Sequence, residues 1–282
     1  MVGNIDLKGV GYGLFSVAAW STNYLVGRAL GTAGVDPLGL TLVRFAIATP
    51  VLFLMAGLPR YKGQLKDLAV SGLLGVALFN ALLYSSLHFI DAATASLFVV
   101  FSSPITYMVG VALRAERASP VRSLGVALSV LGAYLILAPR GSGEALGALM
   151  ALGSAISWSL YTLRVGRLYR RYSPVEAMAW SSLLGTAAMA LALPISNLAI
   201  PLQFAPLVVY IALVPGALAY ASWNSAVKSM GPSAAYMLPL LPAITSALSW
   251  IVLKEPLTSL QMAGMALAVA GVYLANAVRN KR

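Results

Sequence analysis

Gly264–Tyr273, which reads GMALAVAGVY, answers Gly125–Tyr134, GVALSVLGAY, 139 residues earlier. Gly125 and Gly132 recur as Gly264 and Gly271, and Tyr134 recurs as Tyr273. Upstream, Glu116 recurs as Glu255 at the same interval. Pro104 recurs as Pro242, and Trp20-Ser21 as Trp158-Ser159, each 138 residues on. Ordered identities at nearly one offset mark an internal duplication, with halves 1–140 and 141–282.

Each half contains five apolar runs. A membrane-crossing helix needs about 20 mostly apolar residues. Reading between charges gives spans at 9–28, 37–58, 68–88, 92–113, 120–138, 145–165, 174–194, 205–227, 233–253 and 259–278. An odd number of spans per copy inserts the second copy upside down. The expected fold is therefore an all-α integral membrane protein, with ten transmembrane helices in two inverted five-helix repeats. That architecture places a substrate site where the halves meet, near the bilayer midplane.

Composition agrees. Of the 282 residues, 60% are hydrophobic and only 10% charged, with a mean hydropathy of +0.84. A water-soluble domain carries about a quarter charged residues, so lipid must serve as solvent here. No period-two alternation over strand lengths points to a β-barrel. The net charge of +11 sits in short loops, as expected beside a cytoplasmic leaflet rather than on nucleic acid. With no cysteine, disulfides and thiolate chemistry are excluded. The first run resembles a signal peptide in position only: Asp6 offsets Lys8, and Ser21, Thr22 and Asn23 interrupt it.

With the N-terminus inside, fifteen Lys and Arg fall on the cytoplasmic side, among them Arg60, Lys62, Lys66 and the run Arg164, Arg167, Arg170, Arg171. Three fall opposite: Arg28, Arg140 and Lys254. Both termini are expected to be cytoplasmic, in an inner membrane. Helix starts are marked by Asp36-Pro37, Ser119-Pro120, Ser173-Pro174 and Gly231-Pro232-Ser233, which place a capping or turn residue beside proline. The small-residue stripes Gly125, Ser129, Gly132 and Gly264, Ala268, Gly271 are read as packing surfaces, joining either the repeats or two copies. A monomer or a homodimer is expected.

Side chains that could meet a substrate are aromatic or amide. Trp20 and Asn23 share a face of the first span, and Asn80 and Tyr84 a face of the third. Trp158 and Tyr161 share one on the sixth, and Tyr220 and Asn224 on the eighth. An amide facing lipid leaves donors and acceptors unmatched, so these faces should point inward and line an aromatic cavity. Tyr107 and Tyr236, on the proline-bearing fourth and ninth spans, join the set. Pro104, Pro239 and Pro242 are candidate hinges, because each removes a backbone donor.

No acid lies inside a span, and one kept there would mark an ion or proton relay. Arg44, the one clearly intramembrane charge, reads first as a structural residue and second as a partner for a substrate carboxylate. His88 reads as a polar anchor near the outer interface. There is no clustered Asp for a metal and no aligned Ser and His, so neither an enzyme nor a cofactor or metal site is expected.

The duplicated Trp-Ser, proline-bearing fourth span, terminal Glu and Gly-rich fifth span resemble the drug/metabolite transporter superfamily, in its ten-span EamA-type branch. The resemblance covers essentially the whole chain. It implies a secondary carrier that exports amino acids, neutral or aromatic ones, by alternating access. Rival substrates in the superfamily are sugar phosphates, nucleotide sugars and multidrug cations. The four-span multidrug relatives rely on a first-span glutamate, where this chain offers Trp20, Ser21 and Asn23. Anionic sugars would call for several cavity cations, and only Arg44 is evident.

Overall fold

The structure is a computed structural model, which describes residues 7–112, 118–136, 142–230, 237–238, 240–255 and 258–277. Among these residues every regular element is helical. In chain order they are α1 (Leu7–Thr32), α2 (Pro37–Met55), α3 (Leu65–Gly72), α4 (Phe79–Ser86), α5 (Ala92–Val100), α6 (Ser102–Ala112) and α7 (Pro120–Ile136). The second half supplies α8 (Ser142–Val165), α9 (Pro174–Ala190), α10 (Ala205–Ile211), α11 (Ala219–Met230), α12 (Leu240–Leu248) and α13 (Ser259–Ala277).

Four helices are long and apolar enough to cross a membrane: Pro37–Met55, Leu65–Ser86, Gly143–Arg170 and Leu202–Ala226. α1 has the length, at 26 residues, but it spends its interior on Ser16, Ser21 and Asn23, all buried against neighbouring helices. The fourth expected span is two helices, α5 and α6, which part at Phe101.

Helix starts follow the residues beside proline. Asp36 accepts the Gly39 N–H at 2.7 Å, and Ser173 with Glu176 forms a reciprocal capping box ahead of Pro174. Each such cap is worth about 1 kcal/mol. Pro104 and Pro242 both fall third in their helices, α6 and α12. In a first turn the missing N–H costs nothing, since that donor has no partner within the helix.

Three stretches widen into π-helical turns: Leu73–Leu78 between α3 and α4, Ala212–Leu218 between α10 and α11, and Ser249–Leu253 after α12. A π turn shifts the hydrogen-bond register by one residue and loosens the carbonyls around it. The first two lie at the centre of the molecule.

Contacts between the halves exchange under the sequence offset. Ser21 Oγ donates to the Leu241 carbonyl at 3.3 Å, and Ser159 Oγ donates to the Ser102 carbonyl at 2.9 Å. Adding the offset to one pair yields the other. α7 and α13 behave likewise. A Cβ on Gly132 would meet Ala268 N at 2.5 Å and Gly264 O at 2.6 Å; one on Gly271 would meet Ser129 N at 2.5 Å and Gly125 O at 2.6 Å. The two small-residue stripes thus pack on each other within one chain. α2 lies on α9, while α1 packs on α11 and α12, as α8 packs on α4, α5 and α6.

Candidate functional site

At the crossing of α1, α4, α8 and α11 the chain encloses a cavity. Trp20 and Trp158 meet there edge to face, with centroids 6.0 Å apart and planes at 80°. Tyr220 stands edge-on to both, at 5.7 Å from Trp20 and 5.8 Å from Trp158. Phe79 tilts against Trp158 at 4.9 Å. Edge-to-face contacts of this kind contribute about 1 kcal/mol each beyond burial. Trp20 is fixed from behind, its Nε1–H donating to the Pro215 carbonyl in the second π turn at 3.2 Å.

The polar wall is built around Arg44, of which only 1% is exposed. Its Nε–H donates to the Ile211 carbonyl at 3.0 Å and its Nη1–H to Asn80 Oδ1 at 2.6 Å. The rings of Phe45 and Tyr84 lie 4.9 and 5.6 Å from the guanidinium carbon. Ile211 is available because of Pro215. In an α-helix the donor to a carbonyl comes from four residues on, and at that position proline has no N–H. Arg44 fills the vacancy from another helix.

Asn80 turns its amide nitrogen to the Val76 carbonyl at 2.9 Å, inside the first π turn. Tyr84 Oη–H donates to Asn23 Oδ1 at 2.7 Å. Backbone irregularities in both halves therefore supply the acceptors that orient the polar wall.

The cavity has room for about 30 Å³ of water-sized molecules. One water needs about 10–15 Å³ on that measure, so the space holds two or so. Beyond Asn23 on α1, Arg28 pairs with Glu255 at 2.9 Å and donates to the Leu87 carbonyl at 2.8 Å. Towards the other end of α1, Gly13 lies against Met237. The conformation is closed around a collapsed site.

The expected site residues divide. Trp20, Asn23, Asn80, Trp158 and Tyr220 line the cavity. Tyr84 sits behind, holding Asn23. Tyr161 packs on Trp158 at 5.1 Å with its hydroxyl towards Met178. Asn224 turns away, taking the Tyr169 hydroxyl proton at 3.2 Å and reaching the Pro174 carbonyl at 3.5 Å. Tyr107 accepts the Ser119 N–H at 2.8 Å and so ties α6 to α7, away from the cavity. Tyr236 and Pro239 lie outside the described residues.

Pro104 and Pro242 are buried. Val99, just before the break at Phe101, lines the cavity, as do Leu238 and Leu241 beside the start of α12. Sequence reasoning ranked Arg44 as structural first; its lining of the cavity depends on Pro215, far along the chain. Tyr24, Phe79 and Leu83 also line it, and as apolar or aromatic residues in apolar runs they carried no signal.

The sequence matches the EamA-like transporter family over residues 7–138 and again over 145–277. A probable terminal-alkyne amino-acid exporter of Streptantibioticus cattleyicolor is 27% identical over 93% of this chain and 91% of its own length. A probable amino-acid metabolite efflux pump of Escherichia coli is 26% identical over 93% of this chain and 92% of its own. An uncharacterized transporter of Archaeoglobus fulgidus is 26% identical over 93% and 95%. One crystal structure, at 22% identity, superposes over 96% of each chain with a TM-score of 0.68, a likeness of fold.

Proposed function

This chain belongs to the EamA-like transporter family, and from that premise we propose that it exports neutral or aromatic amino acids across an inner membrane. It is a multi-pass membrane transporter of a small molecule and not an enzyme. The observation that carries the substrate reading is the closed cavity, in which aromatic rings from both halves face one guanidinium and two asparagines. Rings suit an apolar side chain, while amides and a cation suit the polar end of an amino acid. The names of the exporter and efflux-pump relatives point the same way.

The remaining parts of the reading are ten spans, two inverted repeats at 1–140 and 141–282, and cytoplasmic termini. The exchange of Ser21–Leu241 with Ser159–Ser102 supports the repeat, and the asymmetry of Lys and Arg supports the orientation. A monomer suffices, since α7 and α13 use their small-residue faces on each other. The collapsed cavity must widen to admit substrate. The break at Phe101 and the start of α12 near Pro242 adjoin its wall and are the proposed hinges of alternating access.

Uptake into proteoliposomes tests the reading, with labelled phenylalanine, methionine, glutamate, UDP-glucose and ethidium, with and without a pH gradient. Saturable phenylalanine or methionine flux is expected. Flux of UDP-glucose or ethidium alone would overturn the substrate assignment. Single cysteines at Lys66 and Ala199 test orientation: only the second should react with an impermeant maleimide from outside.

A further inference from the structure

The charge at the cavity is unbalanced. Among the described residues no carboxylate lies within ion-pair distance of Arg44; the ion pairs are Arg28–Glu255, Lys62–Glu176 and Arg164–Asp67, all near helix ends. The eight acids of the chain all fall at span ends or in loops. Arg44 is met instead by neutral groups, the Ile211 carbonyl, Asn80 Oδ1 and two ring faces. Dipoles orient a guanidinium but do not neutralise it, and a buried cation without a counter-charge is costly. A guanidinium also has five donors in a planar fork, more than two bonds consume.

We propose that Arg44 is the carboxylate receptor of the cavity, so that a transported compound must bring its own carboxylate. This rests on the amino-acid reading and narrows it to one end of the molecule. The carboxylate displaces the few waters the cavity holds and meets the guanidinium as a charge-assisted pair. Asn80 and Ile211 hold the fork in plane, and the substrate side chain lies among Trp20, Trp158 and Phe79. The amino group is not what the site selects, since no acid waits for it. Entry of the anion relieves the desolvated charge, which couples loading to stability of the closed state.

The test uses the full chain in proteoliposomes, with labelled phenylalanine and four unlabelled competitors. L-Phenylalanine and phenyllactate keep the carboxylate; phenylalaninamide and phenethylamine lack it. The first two are expected to compete, and the last two to be at least ten-fold weaker. Equal competition by phenethylamine or the amide would overturn the proposal while leaving an amino-acid carrier standing. Asn80→Asp sets a carboxylate beside Nη1, where Asn80 Oδ1 now lies at 2.6 Å. It should keep or raise the melting temperature and lower phenylalanine flux ten-fold or more; normal flux would also overturn the proposal.

If no amino acid is taken up, the functional reading falls by itself. Tryptophan fluorescence then decides the anion requirement, because Trp20 and Trp158 border the cavity. A response to the two carboxylates alone supports it. An equal response to all four, or none, refutes it.

Discussion

Arg28 and Glu255 join the end of α1 to the residue just beyond the third π turn, Nε to Oε1 at 2.9 Å, with side chains 20% and 23% exposed. Ser249, which opens that π turn, donates to the other carboxylate oxygen at 2.6 Å. The pair lies about one helical turn beyond Asn23 and closes that end of the cavity. An exposed ion pair contributes up to about 1 kcal/mol, and half-burial with a shared hydroxyl puts this one near that limit.

Glu255→Gln should therefore lower the melting temperature only slightly but loosen the closure. The chain has no cysteine, so a single cysteine replacing Leu83 on the cavity wall serves as reporter. Its labelling by an impermeant maleimide should rise several-fold when Glu255→Gln is added. An unchanged rate would mean that the pair does not close the cavity.

Gly132→Ala should destabilise by about 1–3 kcal/mol, the usual cost of overpacking. The added Cβ meets backbone of α13, and backbone cannot rotate aside. Gly11→Ala is the control: a Cβ there meets nothing within 4 Å, and alanine favours helix by about 1 kcal/mol. Thermal denaturation in detergent should move in opposite directions for the two variants.

Pro215→Ala returns a backbone donor to Ile211 and competes with Arg44 for that carbonyl. Helix propensity alone predicts a gain of about 3 kcal/mol at an interior position. The displaced guanidinium offsets much of it. Stability should change little and flux should fall at least ten-fold; normal flux would remove Ile211 from the account of the site.

His88, half-buried just past α4 and beyond the membrane-crossing stretch Leu65–Ser86, has its pKa lowered from the usual 6.5, chiefly by desolvation, with the Val35 backbone and Asp36 opposing. The unfolded chain takes up this proton at higher pH than the folded one, so the neutral ring favours folding above 6.5. That contribution is lost as pH falls through the lower folded value. His88→Gln should flatten the fall in melting temperature below pH 6.5 and leave the pH profile of flux unchanged. A shifted flux profile would assign His88 a part in coupling.

Much of this was legible beforehand, because its causes are local. Asp36-Pro37 and Ser173-Pro174 mark helix starts by the chemistry of one turn. The Gly125 and Gly264 stripes mark a close crossing, since only small residues let backbones meet. The i, i+4 pairs gave the right side of each helix but not the depth: Asn80 reaches the cavity while Tyr84 stands behind it, and Tyr220 reaches it while Asn224 turns to Tyr169. The π turns were invisible, since their register is set by packing. Arg44 could not be placed without Pro215, because its acceptor is vacated on a helix far away in sequence.

That vacancy also bears on ancestry. The position matching Arg44 in the second half, 138 residues on, is Ser182, and the third expected span of the first half contains no proline. One half thus owns the cation and the other owns its berth. Two copies of the first half would bring two guanidiniums and no carbonyl freed by proline; two copies of the second would bring the freed carbonyls and nothing to fill them. Whatever symmetric ancestor the duplication began from, its descendants have become complementary parts, and neither can be rebuilt by doubling the other.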